Sequence, residues 1–199
     1  MKQKDKPTYN GITFDSSGEM HFYWWCEELM NEGYIESVLT HPLTFQLSGT
    51  QTMRYIKEMK RENKVMESTI MNPHSYTPDV QINWNKRAEG IFFVVFPQIF
   101  VLKNKQSANL MKGDCLMTSF IEVKPIFDQN NMTRLAVINQ KWVMEKFKAF
   151  INIEIPEKLF ERTFTPKRYL LTDVSKTKRK LKYKNVLSLE EFLIKNECL

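Results

Sequence analysis

The chain has 199 residues, of which 42% are hydrophobic and 13% aromatic, and it carries a formal net charge of +6 at pH 7. A chain of this size can bury a sizeable core, which favours one elaborated domain over two full domains. The net charge permits a polyanionic partner, but an ordinary basic protein has the same excess.

The cysteines and the apolar segments indicate the cellular compartment in which we expect the protein. The three cysteines lie far apart, and no two have metal-ligand spacing, so neither a disulfide framework nor a zinc site is predicted. This usage suits a reducing cytoplasm. Residues 1–9 have the character of a frayed basic arm, without the apolar run of a signal peptide. The most apolar segment, residues 90–102, is broken by Pro97 and is too short to cross a bilayer. We expect a cytoplasmic protein with no membrane partner.

The first predicted helix begins at a capping motif. Ser16 to Glu19 has the Ser-x-x-Glu pattern of a capping box. The helix is predicted to end near Glu32, because Gly33 is a typical residue just beyond a helix C-terminus. Two adjacent tryptophans make the helix apolar around much of its circumference, so we expect it to be well covered.

Short strands and polar segments follow the helix. Strands are predicted at residues 34–39 and 43–47, on either side of a His-Pro pair. The strongly charged residues 50–64 suit either a solvated helix or an exposed hairpin arm. Residues 65–71 are predicted to return as an extended segment, and residues 72–75 to form a loop.

The middle of the chain is predicted to be rich in strands. A strand at residues 80–84 is followed by apolar strands at residues 91–96 and 99–102, which are separated at Pro97, where a donor to the ladder is missing. The apolar residues 91–102 are either core or a dimer surface.

The last third of the chain completes an α/β (α+β) pattern with a central mixed β-sheet flanked by helices. Within its first helix, Leu135, Ile138 and Trp142 form one apolar side, next to Ala136, Val143 and Phe147. The predicted elements are a strand at 119–125, a helix at 133–148, strands at 150–155 and 168–172, and a helix at 186–195 with Ser188 as its N-cap.

The strand at residues 119–125 places charges beside an apolar face. With a period of two, Ile121 and Val123 point to one side, toward a core, while Glu122 and Lys124 point to the other. A strand that only packed would not carry a carboxylate and an ammonium side by side next to an apolar face. The pattern therefore indicates a functional site.

A second strand carries a carboxylate in the same way. Beyond Pro78, the side chains of Asp79, Gln81 and Asn83 share one face of the strand at residues 80–84. If this strand lies beside the strand that carries Glu122, the two carboxylates converge within bonding reach of one divalent cation.

Such a site suits the hydrolysis of a phosphodiester. Two carboxylates together with substrate phosphate and waters form the usual oxygen site for Mg²⁺, for which Mn²⁺ can substitute. The cation would polarise the phosphodiester and lower the pKa of a water. Lys124 would orient that water and offset charge in the transition state. Glu19, from the capped helix, could hold a second cation or a metal-bound water.

At these residues the chain resembles the PD-(D/E)xK nuclease superfamily, and within it phage endonuclease I, the Holliday-junction resolvases of bacteriophages. The matching segments run from Phe14 to Glu19 (Phe-Asp-Ser-Ser-Gly-Glu), from His74 to Asp79 (His-Ser-Tyr-Thr-Pro-Asp) and from Ile121 to Lys124 (Ile-Glu-Val-Lys). Two departures accompany the likeness. The gap between the second and third segments is long where the family has a short turn, and Pro125 replaces the glycine that often follows the lysine.

The resemblance implies a restriction-endonuclease-like fold and a Mg²⁺-dependent endonuclease that acts on branched DNA, such as Holliday junctions, in DNA recombination. It implies that Glu19, Asp79, Glu122 and Lys124 are catalytic and that the three carboxylates hold the metal. A resolvase cuts two symmetry-related strands, so a homodimer is expected. A phage-encoded chain would act in the cytoplasm of the host cell.

The resemblance also sets the expected domain organisation, which is a single nuclease domain over residues 1–199. Its catalytic core comprises residues 10–84 and 114–172. The long gap becomes an inserted β-hairpin at residues 85–113, and residues 173–199 form a basic hairpin and the C-terminal helix.

Each site residue also has a purely structural interpretation. Glu122 and Lys124 could form an ion pair on a solvated strand, Asp79 could serve the turn beside Pro78, and Glu19 has a capping role already. We interpret His74 as a hydrogen-bonding loop residue rather than a general base.

The basic stretch at residues 176–184 contains six cations. It is either a solvated hairpin or a rim that follows the phosphate backbone, in which case affinity would fall steeply with salt. The predicted DNA-contacting residues are Arg134, Lys141, Lys178, Arg179 and Lys180.

Three alternatives to a resolvase remain. The first is a transposase-type or general DNA-degrading nuclease with the same chemistry. The second is a catalytically silent DNA-binding module of this fold. The third is a virion or host-interaction protein in which the motifs are accidental.

Overall fold

The computed structural model describes residues 5–88, 91–92, 111–112, 117–127, 132–172 and 175–196, and it shows a mixed α+β protein, as predicted. The helices are α1 (Ser17–Asn31), α2 (Met132–Phe147), α3 (Pro156–Arg162) and α4 (Leu189–Lys195), with 3-10 turns at Lys86–Ala88 and Lys167–Leu170. The strands are β1 (Thr8–Tyr9), β2 (Ile12–Thr13), β3 (Ile35–Thr40), β4 (Phe45–Ser48), β5 (Gln51–Lys57), β6 (Lys64–Met71), β7 (His74–Tyr76), β8 (Val80–Trp84), β9 (Met111–Lys112), β10 (Met117–Val123) and β11 (Ile151–Glu154).

The central sheet has mixed strand directions. Its order is β11-β10-β8-β3, and β9 pairs with the start of β10. β3, β8 and β10 are antiparallel neighbours, whereas β11 runs parallel to β10. A parallel pair needs a crossover, and α2 supplies it between β10 and β11.

Helix α1 forms where the capping signals predict it. The Ser16 side chain accepts a hydrogen bond from the Glu19 N–H at 3.2 Å and so caps the first turn. At the other end, Gly33 adopts φ +74°. The N–H groups of Gly33 and Tyr34 donate to the carbonyls of Met30 and Leu29, which is the Schellman arrangement. Both predicted ends of this helix are confirmed to within a residue.

The larger core lies between α1 and one face of the central sheet. Trp25 is fully buried at its centre, stacked between the rings of Phe22 and Phe164. Its indole N–H donates to the Thr163 hydroxyl at 3.0 Å, which satisfies the only polar atom of the side chain. Ile121 and Val123 of β10 face this core, as predicted.

The opposite face of the sheet packs against α2 and the β4–β7 ribbon. Phe45 and Tyr76 from the ribbon join Val143 of α2 and Ile151 of β11 in a second buried cluster. Phe120 packs edge-on against Phe45, with ring centroids 5.5 Å apart. The face of β10 that carries Glu122 and Lys124 is therefore covered by protein.

The charged stretch after β4 is a hairpin and not a helix. β5 and β6 pair only with each other, and every residue of β5 is exposed. β4–β7 and β5–β6 are separate two-stranded sheets that follow one another along the chain, with a register shift in each near their junction. Beyond the junction the pairing extends to Lys57 opposite Lys64. We call the two together the long ribbon, with a partly buried root (β4–β7) and an exposed outer part (β5–β6).

Several predictions outside these elements need correction. Residues 168–172 are not a strand, because Lys167–Leu170 form a 3-10 turn and Leu171 makes only an isolated bridge to Lys178. The predicted loop at 72–75 overlaps β7, which begins at His74. Helix α3, which begins at Pro156, had no prediction.

Other predictions are confirmed or fall outside the described residues. β8 has the predicted bounds, and α4 begins at the predicted N-cap, Ser188. In the segment 91–102 only Ile91 and Phe92 are described, and Phe92 is fully buried in the larger core. In the part of the chain that the structure covers, no helix combines the length and apolarity that a membrane span requires.

The tryptophans of α1 and α2 differ in burial and provide a test of the core. Trp25→Ala should lower the free energy of unfolding by about 3–5 kcal/mol, because it opens a large cavity and removes the indole donor from the Thr163 hydroxyl. Trp142 is 36% exposed and packs against the ring of His74, so Trp142→Ala should cost clearly less than Trp25→Ala. Urea denaturation of both variants measures the difference, and equal losses would contradict the described core.

Candidate active site

The pairing of β8 with β10 brings Asp79 and Glu122 together. Val80 is registered opposite Ile121, so the next residues along the antiparallel strands are Asp79 and Glu122. The Val123 backbone N–H donates to Asp79 Oδ2 at 2.7 Å. The two carboxylates thus lie at the same end of two neighbouring strands.

Both oxygens of the Glu122 carboxylate are engaged. The Tyr76 hydroxyl donates to Oε2 at 2.6 Å, and the Lys124 ammonium donates to Oε1 at 2.5 Å. Glu122 is only 8% exposed, and the Lys124 side chain is nearly as well covered. The structural alternative of an ion pair on a solvated strand therefore does not describe this contact, because the pair lies in a covered site.

Tyr76 is a site residue that the sequence reasoning missed. It ends β7, belongs to the second buried cluster and lies three residues before Asp79. Burial, followed by the charge of Glu122, raises the pKa of Tyr76 well above its usual range. It therefore remains a neutral hydrogen-bond donor at physiological pH. Tyr76 could have been predicted as a site residue from its position in the segment from His74 to Asp79.

Glu19 has the capping role that its motif predicts, in a modified form. Its Oε1 accepts from the Ser16 hydroxyl at 2.8 Å, and its Oε2 accepts from the backbone N–H of Asp15 at 3.0 Å, one residue before the N-cap. The side chain is only 7% exposed. A Cβ at Gly18 would lie 3.5 Å from the Val123 side chain, so the start of α1 abuts the charged end of β10.

The electrostatics of Asp79 show that these groups act on one another. Burial, then the charge of Glu122, and then that of Glu19 raise the pKa of Asp79 to about 7. The Val123 N–H and the ammonium of Lys124 act in the opposite direction without cancelling the rise. The structure thus collects three carboxylates and one lysine at the end of the sheet nearest the start of α1.

A second group of possible ligands adjoins this cluster. One ligand atom from each of Asp15, Glu19 and His41 lies within 4.8 Å of the others. The Lys6 ammonium contacts Asp15 Oδ1 at 2.6 Å, and the His41 backbone N–H donates to the Asp79 carbonyl at 2.9 Å. Asp15 and His41 were not predicted as site residues, because nothing in their local sequence marks them.

The remaining predicted residues have different surroundings. Arg134 and Lys141 are exposed on α2, and Lys178 and Lys180 are exposed in the basic stretch. Arg179 differs from them, because its guanidinium covers the Tyr169 ring at 4.4 Å and its Nε donates to the Tyr169 carbonyl at 2.8 Å. Arg179 therefore has a structural contact that the prediction did not include.

His74 has the hydrogen-bonding role that we predicted. Its Nε2 lies 3.0 Å from the Asn139 side-chain oxygen, and its ring packs against Trp142. It lies at the start of β7, however, and not in a loop.

Asp79, Glu122 and Glu19 supply carboxylate oxygens, which are the ligands that Mg²⁺ prefers, and the ammonium of Lys124 acts on Asp79 as well. Among the described residues, the group whose ligand atoms all lie within 4.8 Å of one another is Asp15, Glu19 and His41, and not these three carboxylates.

Comparison of the chain with protein-family models, with curated proteins and with solved structures gave no match.

Burial of Asp79, followed by the charge of Glu122, makes stability depend on pH. The folded protein keeps a proton on Asp79 up to about pH 7, whereas the unfolded chain loses it near 3.8, so stability falls as pH rises between these values and then levels. Asp79→Asn removes the charge but retains an oxygen for the Val123 N–H. At pH 8 in EDTA this variant should be more stable than the wild type by on the order of 1–3 kcal/mol.

Urea denaturation from pH 4 to pH 8 measures this difference. Glu154 also has a raised pKa, to about 7, from burial, and it contributes equally to both proteins. If the free energy of unfolding depends on pH in the same way in the wild type and in Asp79→Asn, the surroundings of Asp79 do not raise its pKa.

Proposed function

We propose that this protein is a metal-dependent DNA endonuclease of the PD-(D/E)xK type. The observation that carries the proposal is the convergence of Asp79, Glu122 and Lys124 at the end of β8 and β10, with Glu19 from α1 beside them. Residues from three separate segments meet there, and they are the residues that carry the resemblance in sequence.

The arrangement of the elements also supports this proposal. The helix that carries Glu19 packs on one face of the mixed sheet, and the crossover helix α2 packs on the other. Both charged strands are inner strands of the sheet, so their ends are positioned by neighbours on each side. A restriction-endonuclease-like fold is consistent with this layout.

Asp79 and Glu122 are the residues that would hold Mg²⁺ or Mn²⁺, and Glu19 would complete the set. A cation bound there would polarise the scissile phosphodiester and lower the pKa of the attacking water. The carboxylates supply the negative charge, and the buried strands keep them in place without loop movement.

Tyr76 and Lys124 have complementary roles at Glu122. The Tyr76 hydroxyl holds one oxygen and so sets the orientation of the carboxylate. The Lys124 ammonium, at the other oxygen, provides a positive charge beside the site, where it can orient the attacking water and offset charge on the phosphate.

The substrate class follows from the resemblance to phage endonuclease I. We propose branched DNA, such as a four-way junction, as the substrate, and a homodimer as the active form, because resolution requires two related cuts. A transposase-type or general nuclease would share the site and would cut linear DNA equally well.

Removal of the Asp79 charge should abolish cleavage. Asp79→Asn should reduce cutting of a synthetic four-way junction with Mg²⁺ by at least about a thousandfold, because the cation would lose the negative charge of one of its carboxylate ligands, while binding in EDTA is retained. Gel assays of cleavage and of binding measure both properties. A variant that cuts at the wild-type rate would contradict the assignment.

Removal of the Tyr76 hydroxyl should weaken metal binding while leaving the fold intact. Tyr76→Phe should require roughly 10–100-fold more Mg²⁺ for half-maximal cleavage, because the Glu122 carboxylate loses the donor that orients it. Tyr183→Phe is a matched control, since it removes a hydroxyl whose one side-chain hydrogen bond within the described part of the chain is to Thr165, at 3.0 Å. If both variants have the wild-type Mg²⁺ dependence, Tyr76 does not orient Glu122.

A further inference from the structure

The outer ribbon, β5 and β6 with the turn between them, projects from the body of the protein. All residues of β5 are exposed, and in β6 all but the half-buried Met66 are exposed. A two-stranded ribbon is marginally stable in water without a covering partner. The outer ribbon is therefore a surface that lacks a partner within the described residues.

The root of the ribbon connects it to the candidate active site. Phe45, Leu47 and Tyr76 are buried in the second cluster, and Tyr76 donates to Glu122. β5 has seven residues, so the outer ribbon extends roughly 23 Å beyond this root. The strand that donates to Glu122 is therefore connected through two short junctions to the outer ribbon.

The outer end of the ribbon carries unpaired positive charge. Lys57 lies directly opposite Lys64, and like charges in this position destabilise a ladder. Lys60 and Arg61 lie in the turn, so residues 57–64 hold four cations against two glutamates. Among the described residues, none of these four cations has an ion pair or hydrogen bond. A polyanion bound at this end would offset the repulsion.

Apolar side chains adjoin these cations. The pair next to the opposed lysines is Ile56 and Val65, which are 65% and 67% exposed, and Met59 lies in the turn. A protein partner would cover these side chains but would also bury the opposed lysines at a cost in desolvation. The major groove of DNA accepts both, because it admits a two-stranded ribbon and presents thymine methyl groups to apolar side chains, while the phosphates at its edges pair with lysines.

We infer that the outer ribbon binds duplex DNA beside the cleavage site, with its basic end on the phosphates. This inference rests on the proposed function, because the ribbon root adjoins the residues assigned to cleavage. The ribbon contacts an arm of the branched substrate, and Ile56, Met59 and Val65 make the apolar contacts. The ribbon increases the affinity for DNA and positions the DNA, while the residues of the candidate active site carry out the cleavage.

The test measures DNA binding without cleavage. A four-way junction and a linear duplex are titrated in EDTA with Asp79→Asn and with the same chain carrying four alanines at Lys57, Lys60, Arg61 and Lys64. The control carries four alanines at exposed lysines elsewhere, Lys86, Lys158, Lys167 and Lys195. The ribbon variant should bind at least about tenfold more weakly, and its salt slope should fall by about two to four. The control should keep the parent slope to within about one.

The possible results distinguish failure of the ribbon inference from failure of the nuclease proposal. If the ribbon variant and the control bind alike, the ribbon does not contact DNA, and the cleavage proposal stands on its own assays. If the ribbon variant loses affinity but the wild type never cleaves with Mg²⁺ or Mn²⁺, the ribbon inference holds and the nuclease proposal fails. If the wild type binds no DNA, both are overturned.

A second measurement tests whether the outer ribbon binds another copy of this protein. Sedimentation equilibrium measures the mass of the wild type and of a double variant, Ile56→Ser with Val65→Ser. If the outer ribbon binds DNA, the two proteins should have the same oligomeric mass. A wild-type dimer that this variant converts to a monomer, with DNA binding unchanged, would make the ribbon an interface between copies and overturn the inference.

Discussion

The backbone pairing of β8 with β10 is the constraint on which the candidate site depends. It places Asp79 opposite Glu122, and the N–H of Val123 fixes Asp79 by a 2.7 Å hydrogen bond. A shift of this pairing by one residue would turn one carboxylate away from the other, because side chains alternate between faces. Burial of Val80, Ile82, Ile121 and Val123 in one core prevents such a shift. The hydrophobic core therefore sets the geometry of a charged site.

The charged site carries an electrostatic cost that its hydrogen bonds only partly offset. Glu19 is stabilised by the cap of α1, and Glu122 by Tyr76 and Lys124. Asp79 receives one backbone donor, and repulsion and burial still raise its pKa to about 7. Charged groups retained in such an arrangement are typical of functional sites. Under the proposed function, a divalent cation supplies the missing positive charge.

The two ends of the long ribbon show how burial separates rigid and accessible parts of the molecule. At its root, Phe45 and Tyr76 are buried, and Tyr76 reaches Glu122. At its outer end, Lys57 and Lys64 face each other in solvent. β7 at the root can thus orient a buried carboxylate, while β5 and β6 at the outer end can present charge to a large substrate. The proposed DNA contact and the proposed chemistry are connected through this one element.

Short-range signals in the sequence are enough to locate the local features, which include the capped start of α1 at Ser16, the bounds of β8, the N-cap of α4 and the face of β10 that holds Glu122 and Lys124. These depend on hydrogen bonds within a turn or on the period of a strand, and so a short segment contains the information. Only the tertiary structure decided that Tyr76 reaches Glu122, that His41 and Asp15 adjoin Glu19, and that Leu135, Ile138 and Trp142 are exposed while Ala136 and Val143 are buried. These contacts join segments far apart in the chain. They depend on which strands pair and which helix face meets the sheet, and no local pattern specifies that.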